Sequence, residues 1–213
     1  MAPLQPDSLF TKLDTAPADE VFALMGDFQA DTCPDKVSLG AGVYRDNDAK
    51  SWRLPAVKKA GFLAEQLLLD DPTFDHEYLP IPGYAPFYNL ARDLVFGGED
   101  SCIPKDRIAS LQTISGTGAN HIGARFLADH LPRLPTAGAK RTIWISDPTW
   151  ANHHLIWNLV SSGTSGSPIQ LKTYAYYHEP TRSLNFDGMM KDLEANAVTG
   201  DVILLHACAH NPT

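Results

Sequence analysis

The segment "SGTGA", from Ser115 to Ala119, has the composition of an anion-binding turn. Its two glycines allow a tight turn, and the first N–H groups of a following helix would point outward with the helix dipole behind them. The serine and the threonine add hydroxyl donors. The segment is not a dinucleotide-binding fingerprint, because His121 stands where the third glycine of that motif belongs. Taken alone, it fits an ordinary turn between a strand and a helix as well as it fits a phosphate site.

A second segment with unusual side chains is "DPTWANHH", from Asp147 to His154. Trp150 offers a flat face on which an aromatic ligand can stack. His153 follows three residues later, on the same face of a helix. The alternative is that Trp150 and His153 are a core residue and a surface residue beside a turn, and this motif by itself favours that alternative.

The third segment is "HACAHNPT", from His206 to Thr213, which follows the apolar run "DVILL". In an extended strand, alternate positions share one face, and here they hold His206, Cys208 and His210. With His153 or His154 as a fourth ligand, these side chains suggest a zinc site and a metal-dependent hydrolase. The apolar run favours buried core residues instead, and Pro212 would present the Asn211 amide from a fixed backbone.

The elements that must position these segments alternate between strands and helices from about residue 107. Predicted strands are "RIASLQTI", "RTIWIS", "IQLKTYAYY" and "DVILLHA", and predicted helices are "GTGANHIGARFLADHL", "WANHHLIWNLVSS" and "FDGMMKDLEANA". This alternation predicts right-handed crossovers and a parallel α/β sheet. Ligands bind beyond the carboxyl ends of such strands, so the three segments should converge on one edge of the sheet.

Upstream of residue 107, the pattern predicts an arm, two helices and a loop. Apolar residues from Val21 to Phe28 fall on one helical face, and Pro55 is suited to begin a second helix. The stretch "VSLGAGVYRD" between them predicts a short strand that leads into a glycine-rich loop.

Composition narrows the class of protein. The net charge is −8 over 213 residues, without a Lys/Arg cluster, which disfavours nucleic acid as a partner. There is no run of about 18 apolar residues, so a membrane span is not expected. The first residues resemble neither a secretion signal nor a mitochondrial transit peptide. The three cysteines are typical of reduced thiols, and we expect a cytoplasmic protein.

Five ordered motifs together resemble the N-terminal part of the aspartate aminotransferase family, which has fold type I and depends on pyridoxal phosphate. They are "VSLGAGVYRD", "HEYLPIPGYAPF", "SGTGA", "DPTWANH" and "HACAHNPT", and the resemblance runs from about Asp14 to Thr213. It implies a three-layer α/β/α large domain. Residues 1–55 would form an N-terminal arm and small-domain segment, and residues 56–213 an incomplete cofactor-binding domain.

The resemblance also implies roles for individual residues. Cofactor-binding residues would be Ser115, Gly116 and Thr117 at the phosphate, Trp150 over the pyridine ring, Asn211 at the phenolic oxygen, and Tyr78, which would reach the phosphate of a neighbouring subunit. Substrate-binding residues would be Gly42, Trp150 and Asn211. His153 and His206 would support the group that pairs with the pyridine nitrogen.

The implied reaction converts L-aspartate and 2-oxoglutarate to oxaloacetate and L-glutamate in a homodimer. The chain contains no lysine in the family's Schiff-base context, and the substrate arginines are also absent. We therefore expect the 213 residues alone to be inactive or nearly so. A non-catalytic product that pairs with full-length subunits is the alternative, and a preference for aromatic amino acids stays open.

Overall fold

The computed structural model describes residues 9–15, 20–40, 42–75, 77–131, 140–162, 169–207 and 209–213. The chain divides into two compact units, Met1–Glu77 and Tyr78–Thr213. The domain boundary expected after residue 55 stays a prediction.

Helices and strands follow in chain order. The helices are α1 (Glu20–Ala30), α2 (Pro55–Asp70), α3 (Ala85–Phe96), α4 (Ser115–His130), α5 (Ala151–Ser162) and α6 (Phe186–Asn196). The strands are β1 (Arg141–Asp147), β2 (Ile169–Ala175), β3 (Tyr177–His178), β4 (Ser183–Leu184) and β5 (Val202–Ile203). Within the described residues, no helix has the length and apolar character needed to cross a membrane.

In the first unit, the chain folds back after α1. The Lys36 ammonium donates to the carbonyls of Phe28 and Asp31 at 2.6 and 2.5 Å, and it lies 4.6 Å above the Phe28 ring. The short strand predicted in "VSLGAGVYRD" is wrong for the described residues there, because only an isolated bridge between Arg45 and Ser51 forms. The Asp46 carboxylate accepts the N–H groups of residues 48 and 50, which closes a tight turn instead of extending a strand.

In the second unit, three parallel strands form a sheet in the order β2-β1-β5. The central strand β1 is buried from Arg141 to Ser146, because it is paired on both edges and covered on both faces. Strand β5 pairs with β1 only through Val202 and Ile203, so the predicted strand "DVILLHA" is shorter than expected. Strands β3 and β4 form a separate antiparallel hairpin.

Alternating side chains of β1 pack against helices on opposite faces of the sheet. Ile143 and Ile145 lie in a core cluster with residues of α4 and α5, including Ile156 and Trp157. Trp144 points the other way and packs with Tyr174 and Leu193, which lies on α6. This three-layer α/β/α arrangement confirms the predicted fold class.

A strand predicted over "RIASLQTI" is wrong. Residues 108–114 pair with no strand in the described part of the chain. The backbone N–H of Gln112 donates to the carbonyl of Pro82 at 2.8 Å, and its side chain accepts the N–H of Tyr84 at 2.9 Å. The segment is therefore held by the turn before α3. Its β-branched residues favour a strand, but a strand also needs a neighbour to pair with, which composition does not reveal.

Candidate functional site

Helix α4 begins with an exposed turn that has free hydrogen-bond donors. Ser115, the first residue of α4, adopts a left-handed backbone conformation, with φ of 58°. The first N–H groups of the helix have no acceptor within the helix. A Cβ built on Gly116 would meet no heavy atom within 4 Å, so the space in front of the turn is open. Such a turn suits an anion.

Helix α5 begins beside α4, and a hydrogen bond links the two helix starts. The Asn152 amide donates to the hydroxyl oxygen of Thr117 at 2.7 Å. Because that oxygen accepts from Asn152, the Thr117 hydroxyl proton is left for another acceptor. This bond joins the "SGTGA" and "DPTWANHH" segments, as the topology predicted.

Trp150 and His153 face each other across the first turn of α5. Their rings make an edge-on contact with centroids 5.3 Å apart, and the N–H of His153 donates to the Trp150 carbonyl at 2.9 Å. His153 is 7% exposed, whereas Trp150 is half-buried and keeps part of its surface free. Trp150 can therefore still stack on a ligand.

The C-terminal segment meets the same histidine through His206. The rings of His153 and His206 are edge-on at 5.0 Å. The hydroxyl of Thr149 lies between them, 2.8 Å from Nδ1 of His153 and 3.1 Å from Nε2 of His206. The backbone N–H of Asn211 then donates to Nδ1 of His206 at 3.1 Å. All three predicted segments thus belong to one connected site.

This chain of hydrogen bonds fixes where the protons are. His206 Nδ1 accepts the Asn211 N–H, so the neutral ring carries its proton on Nε2 and donates it to Thr149. Thr149 can then donate its own hydroxyl proton to Nδ1 of His153. The proton of a neutral His153 therefore lies on Nε2.

Burial keeps both imidazoles neutral. The pKa of His153 is lowered to about 4, chiefly by burial and then by positive charge on His206, His154 and His210. Burial also lowers the pKa of His206. At pH 7, the site thus offers hydrogen-bond donors and acceptors and no charged imidazole.

The zinc hypothesis finds no support in the described residues, although Cys208 lies outside them. The strand expected to align the three side chains ends at Ile203, and the His206 and His210 rings stack with centroids 3.9 Å apart. All four of their nitrogens already face hydrogen-bond partners, at Asn211, Thr149, Ser146 and Thr213. No group of three or more His, Cys, Asp or Glu residues in the described part of the chain is placed to hold a metal ion.

Two predicted residues are not among the members of this network. Tyr78 is 99% exposed, and its expected contact with a neighbouring subunit stays a prediction. Gly42 belongs to the first compact unit, where a Cβ would meet nothing within 4 Å. Its role toward a substrate also stays a prediction.

Sequence reasoning missed two residues that connect the site, Thr149 and Asn152. The hydroxyl of Thr149 stands one residue before Trp150, and a polar residue there was a usable sign of a hydrogen bond to the neighbouring imidazole. No spacing rule indicated that Asn152 would reach Thr117, because that contact depends on how α4 and α5 pack.

The donor set of the site fits a phosphorylated aromatic cofactor. Uncharged N–H and O–H donors at a helix start suit a phosphate group. A partly exposed indole provides a flat face for a ring, and the neighbouring Asn211 brings an amide. The open space in front of Gly116 leaves room for the ligand.

Comparison with known proteins agrees with this chemistry. Residues 34–213 match the family model described as aminotransferase class I and II. The chain belongs to this aminotransferase family. The resemblance read from the five motifs is therefore confirmed, and so is pyridoxal phosphate as the cofactor that goes with it.

Three aminotransferases illustrate the similarity. The L-tyrosine:2-oxoglutarate aminotransferase of Aspergillus ustus is 45% identical over 94% of this chain and 36% of its own length. The cytoplasmic aspartate aminotransferase of Oryza sativa is 39% identical over 97% of this chain and 46% of its own. An aromatic-amino-acid aminotransferase from Burkholderia pseudomallei, solved covalently bound to pyridoxal phosphate, is 36% identical with a TM-score of 0.76, over 97% of this chain and 47% of that one. The chain thus spans less than half the length of each of these relatives.

Proposed function

We propose that this chain supplies one side of the pyridoxal phosphate site of an aspartate aminotransferase. The observation that carries the proposal is the connected network from Thr117, through Asn152 and the start of α5, to His206 and Asn211. The proposed substrates are L-aspartate and 2-oxoglutarate, and the products are oxaloacetate and L-glutamate.

Each part of the network has a proposed task. Ser115, Gly116 and Thr117 bind the phosphate through helix-start N–H groups and hydroxyls. Trp150 stacks on the pyridine ring, and the Asn211 amide donates to its phenolic oxygen. When bound, the cofactor supplies an electron sink for carbanion chemistry at the amino-acid Cα.

His153 and His206 act as supporting groups. Their fixed proton positions leave the Nε2–H of His153 as a donor for a carboxylate that would pair with the pyridine nitrogen. A neutral donor of fixed tautomer orients such a carboxylate without neutralising its charge.

Binding experiments test the cofactor proposal directly. Pyridoxal phosphate should bind the 213-residue chain, with quenching of tryptophan fluorescence as the signal. Pyridoxal, which lacks the phosphate, should bind at least tenfold more weakly. Thr117→Val should remove most of this difference, and Thr181→Val in the β3–β4 hairpin is the matched control. Equal affinity for the two compounds in the unchanged chain would contradict the phosphate assignment.

The amino-acid preference has a specific rival, because the Aspergillus ustus relative acts on L-tyrosine by its name and is 45% identical. A hybrid tests what these 213 residues contribute to the choice. In it they replace the corresponding part of the Oryza sativa enzyme. We expect the hybrid to prefer aspartate over tyrosine with 2-oxoglutarate as acceptor. A reversed preference in the hybrid would favour an aromatic-amino-acid transaminase.

We further propose a cytoplasmic location and a homodimeric complete protein, with Tyr78 reaching the partner's phosphate site. The 99% exposure of Tyr78 is compatible with a contact made by another subunit. Gly42 is proposed to receive the substrate carboxylate at its backbone.

A further inference from the structure

The ring of His210 is held on all sides although sequence reasoning gave it only a metal-binding role. Its Nε2 lies 2.9 Å from the hydroxyl of Ser146, which is 0% exposed in strand β1. Its Nδ1 lies 2.9 Å from the hydroxyl of Thr213. Its two faces stack on Tyr176 and His206, at 3.7 and 3.9 Å between centroids.

This placement constrains two residues that the site uses. One face of the His210 ring supports the His206 ring, so it limits how His206 can rotate. His210 also directly precedes Asn211, whose backbone N–H sets the tautomer of His206. A single imidazole, hydrogen-bonded to the central strand, thus contacts the ring of His206 and directly precedes Asn211.

The groups around His210 keep its ring uncharged at neutral pH. Burial lowers the pKa of His210, and positive charge on His206 would lower it further, while the Thr213 backbone acts in the opposite direction. The titratable groups next to this stack are His206, His153, Tyr176 and, through Ser146, Tyr174. In the described part of the chain, no carboxylate or cation forms a hydrogen bond or an ion pair with His210. Two neutral rings can stack without repulsion.

We propose that His210 is a positioning residue, which anchors the Asn211 turn to Ser146 and holds His206 as the Nε2–H tautomer. The proposal rests on the proposed function only where it names the ligand that binds to Asn211. The positions of the His206 protons are a property of the chain itself.

Nuclear magnetic resonance of the chain with ¹⁵N-labelled histidine tests this role. Long-range ¹H–¹⁵N spectra report which ring nitrogen carries the proton, and a pH titration gives the pKa of His206. In the unchanged chain, we expect His206 to be protonated on Nε2. A mixture of tautomers there, or protonation on Nδ1, would overturn the proposal before any variant is made.

Two variants separate the stacking from the hydrogen bonds. His210→Ala should produce mixed tautomers at His206, raise its pKa towards the ordinary value, and weaken pyridoxal phosphate binding at least tenfold. His210→Phe keeps a flat ring between Tyr176 and His206 but releases Ser146. It should leave the pKa of His206 low while it weakens cofactor binding. His178→Ala, an exposed histidine of the hairpin, is the matched control.

The outcomes distinguish this proposal from the proposed function. If folded His210→Ala keeps the His206 tautomer and the cofactor affinity of the unchanged chain, the positioning role is wrong. If His210→Ala does not fold by circular dichroism, His210→Phe decides, and a cofactor affinity equal to that of the unchanged chain would then show that the positioning role is wrong. If the unchanged chain does not bind pyridoxal phosphate, the proposed function fails, and the His206 tautomer in the variants still decides the role of His210.

Discussion

Ser115 combines a strained backbone with a position at the start of α4. A left-handed conformation costs a non-glycine residue about 1–2 kcal/mol, and such strain is found most often at functional sites. The strain here accompanies an exposed turn that presents N–H groups to solvent, which is the geometry that an anion requires.

Two variants at Ser115 should separate stability from binding. Ser115→Gly removes the strain and the hydroxyl, so the free energy of unfolding should rise by about 1 kcal/mol while phosphate affinity falls. Ser115→Ala removes only the hydroxyl and should bind as weakly without the gain in stability. Urea unfolding and titration with inorganic phosphate measure the two effects. A loss of stability in Ser115→Gly would contradict the strain argument.

His153 should make the stability of the chain depend on pH. Its pKa is about 4 in the folded chain and 6.5 in its ordinary state, so the unfolded chain binds the proton first as the pH falls. Stability from this residue is complete above about pH 6.5 and is lost progressively down to about pH 4, on the order of 3 kcal/mol in total.

Replacing the imidazole should flatten this dependence. His153→Gln should lower the free energy of unfolding at pH 7, because the packing against Trp150 and His206 is lost. Between pH 7 and pH 4, however, the free energy of unfolding of this variant should fall by less than that of the unchanged chain. Urea unfolding at several pH values measures both slopes. His130→Gln, at the exposed end of α4, is the control, and an equal change of slope in that variant would show that the effect is not specific to the buried ring.

At the level of elements, the sequence predicted the features that follow from the order of strands and helices along the chain. It did not predict the features that depend on how those elements pack. The parallel sheet and the convergence of three segments on one rim followed from alternating strands and helices. The tight turn at Asp46 and the irregular segment before α4 were missed, because a strand needs a partner that local composition does not reveal. The bond from Asn152 to Thr117 was missed for the same reason.

Gly83 shows how tightly that irregular segment is held. Its φ is 94°, and a Cβ there would lie 2.3 Å from Cβ of Gln112, whose backbone bonds to the same turn. Gly83→Ala should therefore destabilise the chain by about 1–3 kcal/mol or more. Thermal and urea unfolding measure the change.

Gly123→Ala is the matched variant for this comparison. Gly123 lies inside α4 with open space around it, so alanine there should stabilise the chain by about 0.5–1 kcal/mol. If both variants changed stability equally, the effect at Gly83 would not come from the turn and Gln112.

For the molecule as a whole, the placement of the lysines bears on whether the chain can be active. Of the chain's lysines, Lys172 lies in the middle of β2, with its ammonium 5.2 Å above the Trp144 ring. Trp144 packs against α6, so the Lys172 ammonium lies over that face of the sheet and not at the rim where Trp150 and Asn211 lie.

The prediction made from the sequence stays in place: we expect the 213-residue chain to bind the cofactor without appreciable transamination. A positioned amine that moves protons typically contributes about 10²- to 10⁴-fold to a rate. A coupled assay for oxaloacetate from aspartate and 2-oxoglutarate measures the activity, with the Oryza sativa enzyme as the positive control. Turnover within about tenfold of that enzyme would contradict this prediction.

Because the imidazoles next to Trp150 are neutral, their contacts should depend little on the salt concentration. Dissolved ions weaken attraction between full charges far more than they weaken short contacts between dipoles. The hydrogen bonds and ring contacts of His153 and His206 should consequently keep their strength as salt rises from millimolar levels to about 0.15 M.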